Sequence, residues 1–177
     1  MQAHNRVMAM TPLGAVLRGV VAGLAGVVAM DAVLYARYRR GGGAHGPIRW
    51  DFGGPNRWDD ISAPGTLGKH LYEGFTQRPL AAKRARLTNN LMHWGYGAAW
   101  GGIYGLVIGS MGRRRLSGST LTGPLFGVAV WGASYVILPA AGLYKPIWKY
   151  DSETLLKDLR PHLAFGTAVD LVFRVFA

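Results

Sequence analysis

The stretch LTNNLMHWGYGAAWGGIYGLVIGSMG, residues 87–112, decides the fold. From Leu87 to Gly112 there is no Asp, Glu, Lys or Arg. A helix of roughly 20 apolar residues, rising about 1.5 Å per residue, crosses some 30 Å of hydrocarbon, so this run is long enough to span a membrane. Within it Gly97, Gly101, Gly105 and Gly109 recur every four residues and fall on one helix face. Such a row lets a second backbone approach closely, which is how membrane helices associate where hydrophobicity supplies no drive. Tyr96, Trp100 and Tyr104 run beside the row as an aromatic stripe, read as packing.

Working outward, residues 116–144 are equally free of formal charge. Residues 13–36 are long enough but carry Arg18 and Asp31, and residues 161–177 are shorter and hold Asp170 and Arg174. Lipid cannot satisfy exposed backbone groups, and the alternation of a barrel strand is absent, so these segments are expected to be helices. The expectation is an all-α, polytopic membrane protein: one membrane domain over residues 1–177, a four-helix transmembrane bundle with spans at about 13–36, 87–112, 119–143 and 161–177. Gly19 and Gly23 in the first span, and Gly123 and Gly127 in the third, repeat the small-residue spacing. The first apolar run is expected to be retained as a span, because Arg18 and Asp31 interrupt it and no small-residue cleavage site follows.

The loop 37–86 begins rich in glycine and proline, then carries Leu67, Leu71 and Phe75 at a helical repeat. This reads as a short interfacial helix lying on the membrane surface, with a helix packed on the bundle as the alternative. Trp50 and Trp58 suit headgroup depth, Pro79 can open the second spanning helix, and Ser152-Glu153 can open another.

Half of the 177 residues are hydrophobic and 16% are charged, against about 25% in soluble domains. The net charge of +11 does not imply nucleic acid, because the basic residues sit at span edges: Arg37, Arg39 and Arg40, then Lys83, Arg84 and Arg86, then Arg113, Arg114 and Arg115. Anionic lipid headgroups are the expected partner. The loop and the 144–160 connector carry most of the Lys and Arg, which places the long loop in the cytoplasm and both termini outside a bacterial-type inner membrane. With no cysteine, disulfides and thiolate chemistry are excluded.

Charged groups inside spans are costly, on the order of 3 kcal/mol at the helix centre, so each needs a partner or a purpose. By depth, Asp31, Asn90, His93 and His162 share one cytoplasmic layer, either a structural clasp or a proton relay. Arg18 and Asp170 lie about one helical turn apart in depth toward the other face and read as an ion pair; Arg174 is expected to snorkel outward. The histidines show no metal-ligand spacing, and no serine stands at a suggestive distance from a base, so no metal, cofactor or catalytic residue is assigned.

The run from Asn90 to Gly105, a His-Trp followed by small and aromatic residues, resembles the second-span region of YagU-like bacterial inner-membrane proteins. That resemblance implies an integral membrane topology and no particular activity. Three functions follow from the residues. The first is a non-catalytic bundle, as accessory subunit of a membrane complex or self-assembling, which fits the glycine row. The second is a small transporter or channel using the intramembrane Asp, His and Arg. The third is an enzyme acting on lipid or isoprenoid substrates at the Asp/His/Asn layer.

Overall fold

The computed structural model describes residues 10–54, 56–111 and 120–176. Arg6, Arg113, Arg114, Arg115 and the expected span ends at 112, 119 and 177 lie outside the described residues. The described residues form α-helices with short 3-10 turns and no strand: α1 (Pro12–Arg40), α2 (Pro47–Phe52), α3 (Ala63–Thr76), α4 (Ala85–Ser110), α5 (Thr122–Ala140) and α6 (Ser152–Phe176). By length and composition α1 and α5 are apolar enough to cross a membrane. Although the single formal charge of α4 is Arg86 in its first turn, its many glycines, Asn89, Asn90 and His93 keep it less apolar.

Local chemistry sets the helix ends. The Thr11 hydroxyl accepts from the Gly14 amide at 3.1 Å and Pro12 occupies the first turn, so α1 starts there. Arg37, Arg39 and Arg40 face the negative end of its dipole. Pro79 does not open α4. The Leu80 amide donates to Glu73 Oε1 at 2.9 Å and its carbonyl accepts from Trp58 Nε1 at 3.0 Å, which ties that residue to the loop and delays the helix to Ala85. Asp151 caps α6 through the Thr154 amide at 2.8 Å, so the fourth long helix begins nine residues earlier than its apolar run and takes Pro161 into its interior.

Glycines fix the packing. Gly19 and Gly23 of α1 meet Gly97, Gly101 and Gly105 of α4 so closely that a Cβ on any of them would strike the facing chain; Gly109 meets Ala15. Gly123 and Gly127 of α5 make the same kind of crossing with Gly166 and the His162 backbone of α6. Between these crossings Gly26 receives Phe165 and Val169. All three contacts are antiparallel, and α1 lies centrally between α4 and α6, with α5 on the far side of α6. Rings fill the gap between α4 and α5: Tyr104 lies 4.7 Å from Phe126 and 5.6 Å from Phe173, centroid to centroid. The C-terminal ends of α1 and α5 therefore share one end of the bundle with the N-terminal ends of α4 and α6, and α2 and α3 cover it.

The loop helix packs on the bundle. Gly65 and Gly68 bring α3 against Thr88, Asn89 and Met92 of α4, with Leu67 half-buried, while Leu71 and Phe75 stay exposed.

Candidate functional site

Asp31 sits on the inner face of α1, four residues past Val27, which fills the space left by Gly97. One turn up α4 from Gly97 is His93. Its Nε2 lies 2.9 and 3.2 Å from the two Asp31 carboxylate oxygens. An ionised carboxylate only accepts, so this nitrogen carries a proton. The pair is sheltered, with 24% of the His93 and 12% of the Asp31 side chain exposed.

The pair forms one wall of a cavity of about 420 Å³ at the loop-side end of the bundle. His162 lines the opposite wall from α6. Its Nδ1 donates to the Asp158 carbonyl at 2.7 Å, so in the neutral ring Nε2 is a bare acceptor. Asp158 also reaches the cavity and accepts from the Tyr135 hydroxyl at 3.1 Å. Ser134 and Ser62 line it too, but their hydroxyls donate to the Val130 carbonyl and to Asn89 respectively, so neither is held by a base.

The short helix α2 lends Trp50 and Asp51 to the cavity wall. Trp50 packs 5.5 Å from Tyr35 and 6.0 Å from Tyr38, and Phe52 stacks on Trp94 at 5.9 Å. These rings hold Asp51 over Asp31 and His93. Burial, then the nearby Asp31 charge, push the Asp51 carboxyl above its ordinary range, and His93 partly offsets this. Burial and the Asp158 and Tyr150 charges likewise raise the Tyr144 hydroxyl at the cavity rim.

Three of the four residues expected in one layer, Asp31, His93 and His162, meet at this cavity. Asn90 does not line it; Asn89 does, one position earlier and about 100° around the helix. Asp51 and Asp158 were not foreseen. The second was legible as a carboxylate four residues before His162. Trp50 and Trp58 are anchored on protein groups.

The expected ion pair is different. Asp170 is buried, accepts from the Tyr104 hydroxyl, and takes Arg174 Nε at 2.8 Å. Arg18 is exposed on the outer face of α1. Arg174, four residues beyond Asp170, reaches it along the same helix and is half-buried. Among the described residues no three acidic or His side chains converge as metal ligands. Comparison of the chain with protein-family models, with curated proteins and with solved structures returns no match.

Proposed function

We propose that this chain is an integral protein of a bacterial-type inner membrane, and that it works without catalysis by holding a small ligand in the loop-side cavity. In this reading α1, α4, α5 and α6 are four spans, the loop is cytoplasmic and both termini are outside. The observation that carries it is the distribution of polarity. Asp31, His93 and His162 surround an internal cavity, while large apolar side chains point outward from all four long helices, among them Leu17, Ile103, Leu125 and Leu171, each about half exposed or more. Water does not favour apolar faces of that extent, and a bilayer covers them. The Lys and Arg gathered at the cavity end agree with a cytoplasmic side.

The glycine row engages α1, so self-assembly draws no support from it; an accessory role in a membrane complex rests on the outward apolar faces. The run that resembles YagU-like proteins supplies both His93 and the glycine contact, which keeps that relationship within the proposal. A second reading, a small transporter, is favoured by one observation. The Tyr104–Asp170–Arg174 network lies beyond the aromatic layer from the cavity, so polar groups flank an apolar plug.

Because the sequence lacks cysteine, single-cysteine variants test the topology directly. In right-side-out membranes a membrane-impermeant maleimide should label Thr120→Cys, and Gln77→Cys only after permeabilisation. Labelling of both from the same side would overturn the four-span reading.

A further inference from the structure

We propose that the loop-side cavity selects a small organic cation, a protonated or quaternary amine. The inference rests on the ligand-binding reading above and specifies its ligand. In a chain of net charge +11, no Lys or Arg lines this cavity, whereas three carboxylates do. Two of those carboxylates are engaged: Asp31 holds His93, and Asp158 accepts from Tyr135. Asp51 has neither an ion pair nor a hydrogen bond among the described residues, so its charge faces the cavity with only the nearby His93 to offset it in part. Burial beside Asp31 already disfavours that charge, and a cation would relieve the cost.

The remaining walls specify an organic cation over a metal ion. Trp50, Tyr96, Tyr144 and Phe165 present aromatic surface to the space. Ring faces attract alkylammonium groups by their quadrupole, whereas a metal requires convergent ligands, which are absent among the described residues. A volume of about 420 Å³ is within the usual range for small-molecule sites.

The test uses the full chain in an uncharged detergent at fixed ionic strength. Calorimetric titrations compare benzyltrimethylammonium, benzenesulfonate and benzyl alcohol, which share a ring and differ in charge. The cation should bind at least about tenfold more tightly than either of the others. Asp51→Asn should weaken the cation about tenfold and leave benzyl alcohol unchanged, with Asp51→Glu restoring affinity. Ser134→Phe, which fills the cavity, should abolish binding of all three. Equal or tighter binding of the sulfonate or the alcohol, or unchanged cation affinity in Asp51→Asn, would overturn the cation assignment while leaving the cavity reading standing. No binding of any of the three would overturn both.

Discussion

Arg37 Nη1 donates to the Lys157 carbonyl at 3.2 Å. That carbonyl is the one whose helical donor is missing, because residue 161 is a proline and has no N–H. A side chain from the end of α1 thus satisfies a gap in the backbone of α6. Arg37→Met should cost about 1 kcal/mol or less, since the site is exposed and water can replace the donor. In Pro161→Ala the helix supplies its own donor, and the same arginine substitution should become nearly silent. A double-mutant cycle in chemical denaturation measures the coupling. Zero coupling would break the link between the two residues.

Gly101 faces the Gly19 carbonyl across the α1–α4 contact, whereas Gly95 on the same helix has open space where a Cβ would stand. Gly101→Ala should therefore force two backbones apart and lower the melting temperature severely, as overpacking against rigid backbone costs about 1–3 kcal/mol or more. Gly95→Ala should stabilise by up to about 1 kcal/mol through helix propensity alone. Melting curves of the two variants should move in opposite directions. Equal loss in both would mean that the contact depends on glycine flexibility and not on its lack of a side chain.

What the sequence made legible was periodicity and depth. The four-residue repeat of Gly97, Gly101 and Gly105 announces a close helix contact whatever helix answers it, and counting residues from the span ends brings Asp31 level with His93. Depth says nothing of direction around a helix. Arg18 stands near Asp170 by that count, yet it shares the outer face of α1 with Leu17 and Val21, and Arg174 reaches the carboxylate along its own helix. Asn89 and Asn90 differ in the same way. Asp51 was invisible for another reason: it reaches the site only because Trp50 and Phe52 find ring partners on α1 and α4, and no local pattern in a glycine-rich loop specifies that docking.

Because Arg174 and not Arg18 neutralises Asp170, the two arginines should respond differently to substitution. Arg174→Met leaves a buried carboxylate with only the Tyr104 hydroxyl and should cost about 3 kcal/mol. Arg18→Met, on an exposed face, should shift stability by no more than about 0.5 kcal/mol. Tyr104→Phe should fall between, near 1–2 kcal/mol, as one donor is lost from a carboxylate that keeps its ion pair. Unfolding in detergent with a chemical denaturant gives the order. A larger loss from Arg18→Met than from Arg174→Met would restore the interhelical pair expected from depth.

Asp51 carries a pH dependence whose sign follows from its surroundings. Asp31, His93, Asp158, His162, Tyr96 and Tyr144 share its cavity, and burial with the Asp31 charge raises its carboxyl above 3.8 in the folded chain. The folded state then holds that proton more tightly than the unfolded chain does, so this group's contribution to stability falls as pH rises from 3.8 through the raised value. Asp51→Asn removes the penalty. At pH 7 the variant should melt at a higher temperature than the parent, and the difference should shrink as the pH is lowered and vanish below 3.8, where both side chains are neutral. Melting of the two proteins across that range is the measurement. A difference that stays constant with pH would show that the Asp51 charge is not what the substitution removes. A difference that grows with pH would instead mark the cavity as a place where folding stability is given up for binding, since the same substitution that raises the melting temperature is expected to weaken the hold on a cation.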